Sequence, residues 1–103
     1  MTEKFVSPCL PPEGYVRELL TILVEEAAEI QQRATKALRF GLDEVQPGQP
    51  HSNAVRLSHE IGDFFAVLDR LKDADVITIE DVTAGADHKR RQLDKFMQTT
   101  PAA

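Results

Sequence analysis

Tryptophan is absent from this chain, tyrosine and cysteine occur once each, and only 6% of the residues are aromatic. A single thiol, Cys9, excludes an internal disulfide framework, and its setting, "SPCLPP", reads as an irregular N-terminal arm carrying an incidental thiol. No pairing of Cys and His stands at structural-zinc spacing. Long apolar runs are missing too. Nothing approaches the ~20 residues that cross a bilayer, and "MTEKFVSP" lacks the apolar stretch of a secretory leader. The expected location is cytoplasmic. Positive charge is in deficit, with 12 Lys and Arg against 17 Asp and Glu for a net charge of -5. No basic face is large enough to release many counterions from a nucleic-acid backbone. Neither a nucleic-acid polymer nor a membrane is an expected partner.

What remains is a chain of 103 residues, 42% apolar, long enough for one domain that buries about 60 to 70% of its extended surface. The expected organisation is a single domain over residues 1–103, with an irregular arm at 1–12 and a frayed tail at 99–103. After "LPPEG", the apolar residues Val16, Leu20, Leu23, Ala27, Ile30, Ala34 and Leu38 recur at three-and-four spacing, which predicts an amphipathic helix. "FGLDEVQPGQPHS" ends it: Gly41 suits a left-handed helix terminus, and Pro47, Gly48 and Pro50 break regular structure. A second helix is predicted from about Asn53 to Ala74, capped by Ser52, with Val55, Leu57, Ile61, Phe64, Leu68 and Leu71 as its apolar positions. Thr78 in "TIED" caps a third, Asp81 forming a weak capping box, with Ile79, Val82, Ala86, Leu93, Phe96 and Met97 along it. Gly85 lowers the helix preference of that segment by about 1 kcal/mol. The predicted fold class is all-α, an antiparallel helical protomer. Ile61 and Phe65 lie well round from Val67 and Leu71, leaving apolar surface that predicts association as a homodimer or homotetramer with a four-helix-bundle-like core.

Against this apolar pattern, "VEEAAEIQ" crowds Glu25, Glu26 and Glu29 onto the first helix, and "HEIGDFF" sets Glu60 and Asp63 three apart on the second. At about 100° per residue with Leu23 at zero, Ile30 falls near about -20°, Leu19 near about -40°, Glu26 near about -60° and Glu29 near about -120°. With Phe64 at zero on the second helix, Glu60 falls near about -40°, among Leu57, Val67 and Leu71, and Asp63 near about -100°. Each helix thus brings one carboxylate into its apolar face and one to the rim. A buried carboxylate without a partner is strongly penalised or takes up a proton. A divalent cation removes the difficulty, and Mg2+, with Mn2+ as a substitute, takes oxygen ligands of this kind. The expected metal ligands are Glu26, Glu29, Glu60 and Asp63. Glu29 also precedes Arg33 by four residues, the spacing of an ordinary helix ion pair.

Beyond the acids, the same side of the first helix carries Arg33, Lys36 and Phe40, with Arg39 nearby. Lys36 and Arg39 near a helix C-terminus are favoured by its dipole alone. They are also placed, with Arg33, to meet the anionic part of a ligand whose phosphates touch the metal. Lys89, Arg90 and Arg91 form a second basic cluster that either closes over such a ligand or is a solvated helix face.

"EEAAE" followed by "EIGD" resembles the paired EExxE and ExxD motifs of the MazG-like, all-alpha nucleoside triphosphate pyrophosphohydrolases. The likeness runs from about residue 16 to 74. Glu25, Glu26 and Glu29 fall on the first motif, Glu60 and Asp63 on the second, and Asn53 resembles an asparagine often found at the start of that helix. The resemblance implies Mg2+-dependent cleavage between the alpha and beta phosphates of a nucleoside triphosphate, in sites usually completed by dimer or tetramer contacts. It implies metal ligation by the acids and catalytic roles for Glu25 and Glu29. The ligand contacts expected beside them are Arg33, Lys36, Arg39, Phe40, Asn53 and Lys89.

Two other readings compete. A di-iron helical protein needs Glu-x-x-His pairs, and here His59 precedes Glu60, while His51 and His88 lack that geometry. A non-catalytic helical module for homo-oligomeric interaction or nucleotide binding accounts for the apolar stripes but leaves Glu60 in the apolar sector unexplained.

Overall fold

The computed structural model describes residues 10–102; Cys9 and most of the N-terminal arm lie outside the described residues. Three α-helices follow one another: α1 Gly14–Phe40, α2 Asn53–Asp73 and α3 Ile79–Phe96. Residues 10–13 and 97–102 carry no helix. No β-strand occurs among the described residues.

Helix ends follow local chemistry. The N–H of Gly41 donates to Ala37 O at 2.9 Å, and its φ of 99° is one that a side chain would resist. Ser52 Oγ accepts from Val55 N at 3.3 Å and Thr78 Oγ1 from Asp81 N at 3.1 Å, as their capping positions predict. The connection between α1 and α2 is stitched to the first turn of α2. Asn53 N donates to Glu44 O at 2.9 Å and Ala54 N to Leu42 O at 3.0 Å, so loop carbonyls satisfy N–H groups that a helix start leaves open. The Asn53 side chain donates to Gly41 O at 2.9 Å and Glu44 Oε1 at 3.0 Å, and Arg56 Nη1 to Gln46 Oε1 at 2.6 Å.

The loop therefore folds α2 back along α1 in an antiparallel hairpin. Its apolar end buries Leu19 of α1 against Val67 and Leu71 of α2, flanked by Leu20, Ile22, Leu23, Leu68, Ala74 and Ile77. The predicted stripe on α1 is half-buried at Val16, Leu20, Leu23, Ile30 and Ala34, but the most deeply buried line lies to one side of it. It runs through Leu19, Glu26 and Arg33, while Ala27 is exposed and Leu38 is 87% exposed. The reason is angular. Positions seven apart drift by only about 20°, whereas Leu38 stands about 100° from Leu19 on the wheel.

The third helix packs only sparsely against the hairpin and buries no residue of its own. Ile79, Val82, Phe96 and Met97 remain exposed on or beside it. The protomer accordingly extends over 63 × 38 × 20 Å with a radius of gyration of 18.8 Å, where a compact chain of this length has about 13 Å.

Candidate metal centre

Both helices of the hairpin offer the seam a residue every seventh position. On α1 these are Leu19, Glu26 and Arg33; on α2, running the other way, Val67, Glu60 and Asn53. The seam is thereby layered. Leu19 and Val67 lie in the apolar cluster, Glu26 and Glu60 bring their carboxylates together, and the same register sets Arg33 and Asn53 at the loop end. Glu26 and Glu60 are half-buried, while Asp63, Glu29 and Glu25 are exposed at the rim. On the wheel Glu60 falls between Asn53, Leu71 and Val67, at the centre of the buried sector, so the fold cannot turn it to water without also exposing its apolar neighbours.

The acids converge. One carboxylate oxygen from each of Glu26, Glu60 and Asp63 lies within 4.8 Å of the other two. Glu26 Oε2 and Glu60 Oε2 are buried and meet no hydrogen-bond donor. Burial is the largest influence raising the Glu26 pKa, followed by the charges of Glu29, Asp63 and Glu25. Glu60 is pushed up to about 7, by burial first, then by side-chain hydrogen bonding with Glu29 and by the charges of Glu29, Glu26 and Asp63. Acids so placed share a proton or share a cation. Two orphaned carboxylate oxygens beside a third carboxylate, with no nitrogen or sulfur donor in the set, fit a hard divalent cation.

Of the four expected ligands the structure gathers three. Glu29 stands outside the trio, within reach of Glu60, and Glu25 lies farther out on the exposed side of α1. Arg33 is buried to 7% exposure, yet Glu29 makes no ion pair with it; among the described residues the ion pairs are Lys72–Asp73 and Asp87–Arg90. Lys36 and Arg39 flank Phe40, with the Lys36 Nζ 5.6 Å and the Arg39 guanidinium carbon 4.9 Å from the ring centre. Asn53 is fully buried, its NH2 committed to the loop and its Oδ1 without a donor. Lys89 is exposed on α3, which does not pack along α1 or α2 at the acid level. His51 and His59 meet edge to face at 5.2 Å and do not belong to the acid trio.

Sequence reasoning missed the loop's part in the site. Glu44 and Gln46, which hold Asn53 and Arg56, are polar residues in a Pro/Gly-rich loop, and no local pattern distinguishes them from solvated ones. The signal that was present is Asn53 itself, seven residues before Glu60 and in its angular sector. No helix among the described residues is long and apolar enough to cross a membrane. No family model, curated protein or solved structure matches this chain.

Proposed function

We propose that this chain is a Mg2+-dependent nucleoside triphosphate pyrophosphohydrolase that cleaves the bond between the alpha and beta phosphates, releasing a nucleoside monophosphate and pyrophosphate. The observation that carries this reading is the convergence of Glu26, Glu60 and Asp63 within 4.8 Å in a helix seam, with two carboxylate oxygens lacking any donor. Its likeness in motif order to the MazG-like enzymes supports the position of the cut.

Glu26, Glu60 and Asp63 would hold Mg2+ or Mn2+, with Glu29 beside Glu60 as the further ligand. Bound there, the ion supplies charge neutralisation at phosphate oxygens and orders water. Glu25 and Glu29, exposed on the solvent side of the trio, are the carboxylates that take up the proton of the attacking water. Arg33, Lys36 and Arg39 offset the charge of the polyphosphate, and Phe40 offers a ring face at the end of α1. Asn53 serves the site by tying the loop to the start of α2. Transfer at phosphorus demands positioning and charge neutralisation more than a covalent nucleophile, and this set of residues is suited to that.

The test is a panel of canonical and modified NTPs and dNTPs incubated with Mg2+, with products resolved by chromatography, beside Glu26→Gln and Asp63→Asn. The expected result is monophosphate plus pyrophosphate from at least one base class, lost in both variants. Absence of that product pair from every substrate overturns the reading. A second reading, a homo-oligomeric helical module without catalysis, is favoured by the large apolar surface on α2 and α3, where Phe65 is 60% and Phe96 64% exposed. The same panel separates the two.

A further inference from the structure

Among the described residues, four buried side-chain atoms lack a hydrogen-bond partner: Glu26 Oε2, Glu60 Oε2, Asn53 Oδ1 and Arg33 Nη1. Three are acceptors, which a cation and its waters satisfy. Arg33 Nη1 is the donor of the set, and it belongs to a permanently charged group in a residue only 7% exposed. A cation at the acid level does nothing for it, because like charges repel. What Arg33 lacks is an acceptor, and an anion is the strongest acceptor for a guanidinium.

We propose that Arg33 is the phosphoryl receptor of the site, holding oxygens of the same polyphosphate that the metal binds. The proposal rests on the acid trio being a metal centre. Geometry favours Arg33 over the other cations of α1. Side chains on an α-helix lean toward its N-terminus, which on α1 carries Arg33 back toward the level of Glu26. Seven residues of helix separate those two Cα atoms by about 10.5 Å, and the long arginine side chain shortens that gap. Its planar fork matches two oxygens of one phosphoryl group. Lys36 and Arg39 already lie over the Phe40 ring, and Arg39 is exposed to water. Asn53, on the antiparallel helix, has its NH2 group turned to the loop, so that its amide does not compete for the anion.

The experiment is calorimetric titration of inorganic pyrophosphate into the full chain at saturating Mg2+, using wild type, Arg33→Met, Arg33→Lys and Lys36→Met. Arg33→Met keeps the methylene packing and is expected to weaken pyrophosphate binding by about 10- to 100-fold, the loss of a charged hydrogen bond. Arg33→Lys should recover part of it, and Lys36→Met should change it less than Arg33→Met does. The Mg2+-induced rise in melting temperature should be the same in wild type and Arg33→Met. No Mg2+ response in wild type overturns the metal centre and this proposal with it. A shared Mg2+ response with equal pyrophosphate affinity overturns the assignment of Arg33 alone. A fall in the particle mass of Arg33→Met by light scattering also overturns it, assigning the guanidinium to a carboxylate on a second copy. Should Arg33→Met fail to fold, the NMR signal of the Arg33 side-chain N–H, assigned by its loss in Arg33→Lys, is read in the wild type. It should shift when pyrophosphate is added with Mg2+, and an unmoved signal overturns the proposal.

Discussion

Glu60 sits where two helices press together, with one carboxylate oxygen that no donor reaches and a pKa pushed from 4.5 up to about 7. Because the folded state holds this proton more tightly than the unfolded chain does, the group's stabilising contribution is complete below about pH 4.5 and is lost as pH rises through about 7. In the presence of a chelator, the melting temperature of the wild type should therefore fall across that window more steeply than that of Glu60→Gln. Mg2+ competes with the proton, so its stabilising effect should grow over the same window. At about 100 times its dissociation constant it should add about 2.7 kcal/mol. Glu60→Gln should lose most of that gain and keep its helix content. Thermal melts at several pH values, with and without Mg2+, check all of this; equal pH slopes or an equal Mg2+ gain in the two proteins would count against Glu60 as a ligand.

Helix by helix, much was legible in the sequence. The ends of α1 and α2, the Ser52 and Thr78 caps and the placement of Glu60 in the apolar sector follow from three-and-four spacing and short-range turn chemistry, which act within a few residues. The exact seam of α1 did not. Leu23 and Leu38 are as apolar as Leu19, and only packing against α2 decides that the line through Leu19, Glu26 and Arg33 faces inward. Nor did the ties from Asn53 to Gly41 and Glu44, which join residues separated by a loop. These ties predict a structural role for Asn53 at the start of α2. Asn53→Ala removes two hydrogen bonds from a fully buried side chain and should destabilise the fold by about 2–3 kcal/mol. Urea unfolding followed by circular dichroism measures this, and a loss within about 0.5 kcal/mol would mean that the loop holds α2 without it.

Among the described residues, one protomer buries three apolar side chains and leaves α3 almost unpartnered. Such a core is small for 103 residues, given that stability is a narrow difference between burial and chain entropy. Ile61 and Phe65 on α2, with Ile79, Val82 and Phe96 on α3, supply the surface that a second copy would cover. The expectation is a homodimer or homotetramer at micromolar concentration, read by light scattering as a multiple of the 11.5 kDa protomer. A stable species at 11.5 kDa with full helix content would contradict it.

The proposed function stands on the Glu26, Glu60 and Asp63 carboxylates forming a divalent-cation site. Anomalous diffraction from crystals of the protein grown with Mn2+ tests this most directly, because it locates the ion without reference to any substrate. A Mn2+ peak is expected among these three side chains, within about 2.0–2.4 Å of their oxygens and absent from crystals of Glu60→Gln. An empty trio in the Mn2+ crystals, or a peak held only by carboxylates elsewhere on the chain, would contradict it.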